Sequence, residues 1–433
     1  MDKRQKQDIK RRQRRLLKVL GDDLFIQFSG VSKSRCRNQH YSFRQESNFA
    51  YLCGFPQQDS VLVIDGAESK DNITLFVKEK IRIEEVWQGF AIGVKAAGEQ
   101  FPVDKVYSIT QLESVLKRRL RGRTVHTEMV HGHPRQKLVE RLINDSDAEI
   151  AVESVVLDEI DTMRVIKSAW EIDQIKKAVK ITIAGHLACM RSVRGCRHEY
   201  ELQAEYEYAC MRAGAQHQAF LPIVATGIRT TCQHYVENSE AYSKGDLVLL
   251  DSGAEWNLYS ADLTRTFPVS GKFSSQQRDA YQVVLASQKA AIKAVSTKMT
   301  LADLHQVAAK VYVMGLKELG ILHGSVDEIL EKKAYTEFWP GGLSHPIGLS
   351  THDVQPKGIG SGGVVDRKIK PGMLFTVEPG FYSQDFNHQV PEPFRQIGIR
   401  IEDDILVTKD KVINLSKSLP KEIEAVEAVV MGG

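Results

Sequence analysis

Two stretches of this sequence share the same order of glycine, apolar and acidic residues. KGDLVLLDSGAEW at residues 244–256 aligns without a gap on PGMLFTVEPGFYS at residues 371–383. In each stretch an apolar run leads to a carboxylate, Asp251 or Glu378, and a glycine follows two positions later. This repeat predicts two equivalent strands that each end at an acid, within one domain that has an internal pseudo-twofold repeat. Chance similarity between ordinary strand-and-turn sequences is the alternative.

A second strand that carries another acid is predicted after each copy. Asp262 lies in YSADLTRTFPV and Glu402 lies in IGIRIEDDILV. An ionised carboxylate between apolar strand neighbours costs on the order of several kcal/mol unless a cation or a partner stabilises it. Arg265 and Arg400 lie on the same segments, so a salt-bridge network is one interpretation. A divalent metal ion held between the four acids is the other.

Two histidines favour the metal interpretation. The turn-rich segment GGLSHPIGLSTHD supplies His345 and His352. Sites made only of carboxylates favour magnesium, manganese or calcium, and an added imidazole favours manganese, iron, cobalt or zinc. Each histidine taken alone is more often structural than a ligand. Together with the four acids they predict a divalent metal site.

The composition narrows the classes of partner. The 433 residues are 42% hydrophobic and 26% charged, and the formal net charge of +3 predicts no nucleic-acid or membrane partner. No apolar run approaches the roughly 18 to 20 residues that span a bilayer, and a signal peptide is not expected. The six scattered cysteines predict reduced thiols and a cytoplasmic location: Cys36, Cys53, Cys189, Cys196, Cys210 and Cys232.

The N-terminus is strongly basic, with nine lysines or arginines in its first 18 residues. A nucleic-acid arm and a mitochondrial presequence are two interpretations of such a segment. Asp2 and Asp8 count against a presequence, whereas Ile9, Leu16 and Leu20 recur at helical spacing. The favoured prediction is therefore a solvated amphipathic helix.

Alternating strand and helix patterns predict two domains. The apolar runs LFIQFSG, SVLVIDG, ITLFVKEK, KVYSI and RTVHTEM, with the amphipathic stretch SITQLESVLKRRL, predict a three-layer α/β domain over residues 1–166. Two long helical stretches, SAWEIDQIKKAVKITIAGHLACMRSV and EYELQAEYEYACMRAG, open a second domain over residues 167–433. Strands are expected to dominate the later part of that domain.

Four motifs in order resemble a known family. DSGAEWNLYSADLTRTF, GGLSHPIGLSTHD, TVEPGFY and GIRIEDD resemble the five-ligand signature of the pita-bread metallopeptidases, which include aminopeptidase P, prolidase and methionine aminopeptidase. ESNFAYLCGFPQQDSVLVID and EEVWQGF resemble the N-terminal domain of aminopeptidase P, so the resemblance covers nearly all of the chain. It implies a creatinase/prolidase-like α/β domain followed by an α+β pita-bread catalytic domain.

The resemblance implies a complete set of metal ligands. Asp251 is implied to bind one metal, Asp262 and Glu402 to bridge two metals, and His345 and Glu378 to complete the second site. The implied cofactors are two divalent ions, with Mn²⁺ preferred and Co²⁺, Zn²⁺ or Mg²⁺ as alternatives. A metal-bridging hydroxide would be the nucleophile, and Glu378 would act as general base.

The implied activity is release of the N-terminal residue from peptides with proline in second position, by a homodimer or homotetramer. Proline requires a dedicated site because its nitrogen carries no N–H and its ring fixes φ. The resemblance implies substrate contacts and catalytic roles for His234 and His352, and substrate contacts for Arg400, Tyr382 and Trp87, the last toward a neighbouring subunit. Without the resemblance, His234 is interpreted as a buried structural histidine and Trp87 as a core aromatic residue.

One departure from the family pattern concerns the pocket wall. Gly341 begins GGLSH, where the family has HGLSH, so a lower rate or an altered leaving-group preference is expected. The alternative functions are a prolidase, which cuts only dipeptides, and a non-catalytic binding module or creatinase-like enzyme, which the full ligand set disfavours. GIGSGG at residues 358–363 is similar to a nucleotide-binding loop but follows no strand-to-helix start, so a surface loop is predicted.

Overall fold

The chain folds into two compact units in the computed structural model, Met1–Arg164 and Val165–Gly433. The division lies two residues before the predicted domain boundary. The glycine-rich segment at residues 358–363 lies outside the described residues, as do residues 385–389. The structure describes residues 1–355, 367–384 and 390–432.

The first unit alternates strands and helices as the sequence predicts. Its strands are β1 (Leu24–Phe28), β2 (Ser34–Cys36), β3 (Gln39–His40), β4 (Val61–Asp65), β5 (Ile73–Val77), β6 (Lys105–Ser108), β7 (Thr124–Glu128) and β8 (Glu149–Ile150). Its helices are α1 (Lys3–Leu20), α2 (Ser47–Cys53), α3 (Arg82–Gln88), α4 (Gly93–Gln100), α5 (Leu112–Arg119), α6 (Gln136–Asn144) and α7 (Val155–Val165).

A six-stranded mixed sheet with the order β6-β5-β4-β1-β7-β8 forms the centre of this unit. β1 pairs antiparallel with β4 and parallel with β7, and all five of its residues are buried. Leu24 and Ile26 pack in one cluster with Leu116 of α5 and Leu142 of α6. α1 and α2 contact β4 and β1. A continuous apolar run is typical of such a strand, because both of its faces are covered.

The basic N-terminal segment forms the predicted amphipathic helix α1. Asp2 caps it by accepting a hydrogen bond from the Arg4 main-chain nitrogen at 3.0 Å. Ile9 and Leu16 are fully buried. Arg12 is buried as well, with its guanidinium 3.7 Å from the centre of the Tyr51 ring. No helix among the residues described is long and apolar enough to cross a membrane.

The second unit combines long helices with short strands. Its helices are α8 (Ala169–Ser192), α9 (Glu199–Arg212), α10 (Ser275–Ala294), α11 (Leu301–Glu318), α12 (Val326–Glu331) and α13 (Ile423–Met431). Its strands are β9 (His217–Gln218), β10 (Ile223–Thr226), β11 (Leu247–Ser252), β12 (Ala254–Trp256), β13 (Tyr259–Ser260), β14 (Leu263–Pro268), β15 (Leu374–Val377), β16 (Gly380–Ser383), β17 (Ile397–Arg400), β18 (Asp403–Val407) and β19 (Val412–Asn414).

The expectation that strands dominate the later part of the chain is wrong for residues 275–331. Three helices, α10 to α12, occupy most of this stretch. In α10, Ala280, Val284, Leu285 and Ala291 are buried, which is the spacing of one helical face. α10 and α11 pack against each other between the two copies of the repeat in the chain.

The internal repeat predicted from the sequence is present as two equivalent sets of strands. β11 pairs with β14 as β15 pairs with β18, and β12 pairs with β13 as β16 pairs with β17, all antiparallel. Hydrogen bonds join the two sets, for example from the Glu402 nitrogen to the Thr264 carbonyl oxygen at 3.1 Å. The pseudo-twofold arrangement brings both pairs of acids to one place.

Asp262 and Glu402 are not on strands, contrary to the sequence prediction. Asp262 lies directly before β14, and Glu402 lies directly before β18. Outside the strand ladder the main-chain nitrogen of each residue is available to the other repeat. The Asp262 nitrogen donates to Asp404 Oδ2 at 3.3 Å.

The glycine after the first acid is required by a close approach of the backbone. A Cβ atom on Gly253 would lie 1.8 Å from the carbonyl oxygen of Ala261. Any larger residue would therefore separate the chain before β14 from the end of β11. Gly253 thus allows Asp251 and Asp262 to lie together.

Candidate metal centre

The structure brings the five implied metal ligands together in the second unit. Together with His352 they form three overlapping groups, and within each group the donor atoms lie within 4.8 Å of one another. The groups are Asp251 with Asp262 and Glu402, His345 with Glu378 and Glu402, and Asp262 with His345 and His352. The donors are carboxylates and imidazoles, a set that suits a divalent metal such as manganese, cobalt or zinc.

Main-chain pairing with β15 places His345 beside Glu378. The Thr376 nitrogen donates to the His345 carbonyl oxygen at 3.0 Å, and the His345 nitrogen donates to Thr376 Oγ1 at 3.2 Å. The Glu378 nitrogen donates to the Leu343 carbonyl oxygen at 2.8 Å. The turn-rich histidine segment therefore runs alongside the strand that leads to the second acid of the repeat.

The geometry of His345 leaves one ring nitrogen directed at the acids. Its Nδ1 lies 3.0 Å from the Pro346 carbonyl oxygen, so Nδ1 carries the proton and donates there. Its Nε2 lies 3.4 Å from Asp262 Oδ2 and 3.3 Å from Glu378 Oε1. A lone pair on Nε2 is therefore presented to the centre of the cluster, as a metal ligand requires.

Within the described residues, only one of the four acids, Asp251, forms a direct ion pair with an arginine. Arg400 Nη2 lies 2.5 Å from Asp251 Oδ2, and Arg400 Nη1 donates to the Tyr382 hydroxyl at 2.6 Å. Arg265 instead pairs with Asp403, at 2.7 Å. The predicted neutralisation of the four acids by these two arginines is thus incomplete.

Among the carboxylates of the five implied ligands, two buried oxygens have no hydrogen-bond partner within the described part of the chain. They are Asp251 Oδ1 and Glu402 Oε1. A buried acceptor without a donor is costly, and a carboxylate especially so. A divalent cation would satisfy both oxygens, so the residues present fit a metal site.

Burial raises the pKa of Asp262 and Glu402 well above the usual carboxyl range, and neighbouring carboxylates raise both further. Burial also raises the pKa of Glu378. The pKa of Asp404 is raised to about 8, chiefly by burial. So many carboxyl groups cannot all ionise together without a positive charge among them.

Two more histidines lie at this cluster. The ring centre of His352 lies 4.3 Å from that of His345. Burial, His345 and His234 together lower the pKa of His352 to about 4, so its imidazole is neutral at pH 7. His234 is exposed, so its interpretation as a buried structural histidine is wrong. An exposed imidazole beside the candidate metal site is accessible to a ligand.

The two predicted aromatic contacts differ in their surroundings. Tyr382 is buried and its hydroxyl contacts Arg400. Trp87 lies on α3 of the first unit with 81% of its surface exposed, so its interpretation as a core residue is wrong. Three nearby apolar residues are exposed as well, namely Ile83, Val86 and Phe90. Together with Trp87 they form an apolar surface and not a core.

Sequence reasoning missed several residues that hold the ligands in place. Thr264 Oγ1 donates to Glu402 Oε2 at 2.7 Å and accepts from Arg400 Nε at 3.2 Å. Thr376 Oγ1 lies 3.3 Å from Glu378 Oε1. Each threonine is two residues from a ligand, in ADLT or TVE, and a hydroxyl at that spacing was the available signal.

Comparisons with known proteins cover both units. Residues 173–409 match metallopeptidase family M24, and residues 9–127 match the N-terminal domain of aminopeptidase P. The Xaa-Pro aminopeptidase of Haemophilus influenzae is 36% identical over 419 residues, which cover 96% of this chain and 95% of that protein. The aminopeptidase PepP of Pseudomonas aeruginosa superposes with a TM-score of 0.91 at 31% identity, covering 99% of this chain and 98% of that chain. A structure of Escherichia coli aminopeptidase P in complex with substrate gives a TM-score of 0.90 at 32% identity, with the same coverage.

Proposed function

This chain belongs to metallopeptidase family M24 and carries the N-terminal domain of aminopeptidase P, and from that membership we propose that it releases the N-terminal residue from peptides with proline in second position. The same matches confirm the predicted family resemblance and the predicted fold class. The chain is thus a metal-dependent hydrolase rather than a binding module of the same fold.

The observation that carries this proposal is the set of three overlapping groups of donor atoms, each with its atoms within 4.8 Å of one another. A binding module that had lost catalysis would have no use for buried carboxylate oxygens without partners, such as Asp251 Oδ1 and Glu402 Oε1. A bound cation would offset their cost in folding free energy. Retention of the whole cluster therefore supports an enzyme.

The proposed metal site holds two divalent ions. Asp251 would bind one ion, Asp262 and Glu402 would lie between both, and His345 and Glu378 would complete the second. Bound divalent ions would polarise the scissile carbonyl group and acidify a water molecule. Manganese is the proposed metal, since mixed carboxylate and imidazole donors suit it.

Glu378 is the proposed general base. Burial raises the pKa of its carboxyl group toward the range in which a base takes up and returns protons. Its side chain is 23% exposed, so it borders the open part of the cluster where a substrate would enter. Thr376 Oγ1 lies 3.3 Å from Glu378 Oε1 and would steady the orientation of the carboxylate.

His234 and His352 are proposed to contact the substrate and to donate hydrogen bonds to the oxygen that becomes negative during attack. Both side chains are exposed and lie at the cluster. Neutral imidazole retains one N–H donor, so the lowered pKa of His352, about 4, does not prevent donation. Hydrogen bonds that strengthen as charge develops lower the barrier selectively.

Arg400 and Tyr382 are proposed to form the proline side of the site. Arg400 links three parts of the cluster, because it contacts Asp251, the Tyr382 hydroxyl and the Gln233 carbonyl oxygen. Tyr382 presents a buried ring next to that guanidinium, 5.9 Å from ring centre to Cζ. A rigid apolar ring is a suitable surface for a proline ring, which has no N–H to satisfy.

The test uses metal-stripped protein with and without added Mn²⁺. The substrates are Arg-Pro-Pro, the dipeptide Gly-Pro and the control Arg-Ala-Pro. We expect release of arginine from Arg-Pro-Pro only with metal, and slow or no cleavage of Arg-Ala-Pro. Cleavage confined to Gly-Pro would make the protein a prolidase, and metal binding without cleavage of any peptide would favour the binding module.

We further propose that the chain forms a homodimer or homotetramer in which Trp87 contributes to a neighbouring subunit's site. The exposed apolar residues Ile83, Val86, Trp87 and Phe90 support an interface at α3. Analytical ultracentrifugation of the wild type and of Trp87→Ala tests this, since a monomeric wild type would contradict it. A cytoplasmic location is proposed because all six cysteines are free thiols.

A further inference from the structure

A carboxylate outside the metal centre accepts five hydrogen bonds from the end of β10 and from the segment that leads to β11. Glu199, the first residue of α9, is fully buried. Its Oε1 accepts from the Thr226 nitrogen at 3.0 Å, from Thr226 Oγ1 at 2.6 Å and from Arg229 Nε at 3.1 Å. Its Oε2 accepts from the Tyr235 hydroxyl at 2.7 Å and from the Glu240 nitrogen at 3.0 Å. These five donors span residues 226–240.

This stretch of the chain depends on such side-chain contacts for its shape. After the 3₁₀ turn Gly227–Thr231, no helix or strand forms until β11 begins at Leu247. Its backbone pairing within the described residues is limited to one bridge, between Ala241 and His198, so side chains must satisfy most of its remaining polar groups. Asn238 supplies a second attachment, since its Nδ2 donates to the Pro222 carbonyl oxygen at 2.8 Å and its Oδ1 accepts from the Val224 nitrogen at 2.9 Å.

The middle of the same segment lies at the metal centre. The Gln233 carbonyl oxygen accepts from Arg400 Nη2 at 3.3 Å, and Arg400 also contacts Asp251. The next residue is His234, which lies close enough to His352 to influence its pKa. The attachments to Glu199 thus lie on both sides of the residues that border the cluster.

We propose that Glu199 is a positioning residue that holds His234 in place for the substrate. This inference rests on the proposed function, because the substrate contact of His234 belongs to that proposal. In Glu199→Gln one acceptor oxygen becomes an NH₂ donor, which then faces N–H or O–H donors of the segment. The segment at residues 226–240 must then move to separate the new NH₂ group from these donors. A displacement of about 1 Å at a catalytic contact can reduce the rate about 100-fold.

The first experiment compares Glu199→Gln with the control Glu205→Gln. Glu205 is exposed on the same helix, so the control makes the same change of charge without touching the segment. We expect kcat/KM for Arg-Pro-Pro to fall by about 10- to 100-fold in Glu199→Gln only. Mn²⁺ affinity, measured by calorimetric titration, should change by less than about threefold, because Glu199 binds no metal ligand directly. A parallel loss of metal affinity would overturn the proposal.

A double-mutant cycle separates positioning from general stability. In a His234→Ala background, Glu199→Gln should change kcat/KM by less than about threefold, because the positioned group is absent. An equal loss in both backgrounds would show a role unrelated to His234 and overturn the proposal. Tyr235→Phe is the second variant if Glu199→Gln does not fold, since it removes one donor and keeps the carboxylate. Its loss should be smaller and should likewise vanish with His234→Ala.

A measurement that does not depend on catalysis distinguishes failure of this inference from failure of the proposed function. Absence of cleavage by the wild type would contradict the proposed function, but it would not contradict the placement of His234 by Glu199. NMR of protein with ¹³C-labelled histidines then tests the positioning role. The His234 resonance is assigned from its loss in His234→Ala. We expect the His234 ring resonance to shift in Glu199→Gln and not in Glu205→Gln. An unmoved resonance in both would overturn the positioning role.

Discussion

The Oε1 atom of Gln233 lies 3.4 Å from the position that a Cβ atom would take on Gly341. No other atom of the described residues, apart from the chain neighbours, lies within 4 Å of that position. Gly341 also has no left-handed φ angle. Neither backbone geometry nor crowding therefore requires a glycine here, although a longer side chain would have to share its space with Gln233.

Replacing Gly341 with histidine, the residue of the family pattern, should increase activity. A neutral imidazole would add one hydrogen-bond donor to the pocket wall, and one such bond contributes on the order of 1 kcal/mol. We expect kcat/KM for Arg-Pro-Pro to rise about three- to tenfold in Gly341→His. Gly341→Ala is the matched control, because it adds the Cβ atom without the donor.

Gln233 decides how much of this gain appears. In Gly341→His the new side chain competes with the Gln233 amide for the same space. The double variant Gln233→Ala/Gly341→His should therefore have a higher kcat/KM than Gly341→His alone. Kinetics of the two single variants and the double variant measure the coupling. No gain in either histidine variant would show that the pocket is built around glycine.

Removing one shared carboxylate should weaken metal binding strongly. Glu402 belongs to two of the three donor groups, and its Oε1 has no partner within the described ranges. We expect Glu402→Gln to weaken Mn²⁺ binding by about 100-fold or more, since loss of even an outer contact costs about 10- to 100-fold. Calorimetric titration measures this, with the exposed Glu392→Gln as control. Unchanged affinity would place the metal elsewhere.

The fold was predictable where the pattern reports burial directly. LFIQF and VLVID are apolar segments with one polar residue each, Gln27 and Asp65, and both form strands that are buried at every position. The repeat of glycine, apolar and acidic residues indicated equivalent strands, and β11 with β14 and β15 with β18 are paired in the same way. The first unit and the strand repeat could therefore be derived from local sequence.

The contacts that orient the ligands could not be derived in this way. Thr264 contacts Glu402, and Arg265 contacts Asp403, across 138 residues of the chain. The periodicity of a local sequence does not indicate a contact with a residue so far along the chain, because tertiary packing alone brings the two repeats together. The exposure of Trp87 could not be derived from its residue type, since an aromatic side chain is usually buried, and only the family resemblance implied a contact outside its own subunit.

Neutralising Asp403 should destabilise the second unit. Asp403 Oδ1 accepts from Arg265 Nη2 at 2.7 Å, and its Oδ2 accepts from Lys421 Nζ at 2.6 Å. Burial alone would raise the pKa of Asp403, but Arg265 and Lys421 hold it at about 2. Asp403→Asn leaves two cations without their partner, which costs about 3 to 5 kcal/mol.

Urea unfolding of the full chain measures this change in the free energy of unfolding. The control is Asp410→Asn, an exposed carboxylate beyond the end of β18. A loss below about 1 kcal/mol in Asp403→Asn would show that water or rearrangement satisfies Arg265 and Lys421.

The stability of the chain should fall as the pH is lowered through the range set by His133. Burial lowers the pKa of His133 to about 4. Its Nδ1 accepts a hydrogen bond from the Arg135 nitrogen at 3.2 Å, so the proton of the neutral ring is on Nε2, 3.3 Å from Ser29 Oγ. An unfolded histidine has a pKa near about 6.5. Between pH 6.5 and 4 the unfolded chain therefore binds more protons, and the folded state loses stability as the pH falls.

Replacing His133 should remove this component of the pH dependence. Lowering the pH from 7 to 5 should decrease the urea midpoint of the wild type. The decrease should be smaller in His133→Asn, because asparagine does not titrate. His131→Asn is the matched control, since His131 is exposed two residues earlier. The control should keep the slope of the wild type. Equal slopes for His133→Asn and the wild type would mean that His133 takes up its proton in the folded state at the same pH as in the unfolded state.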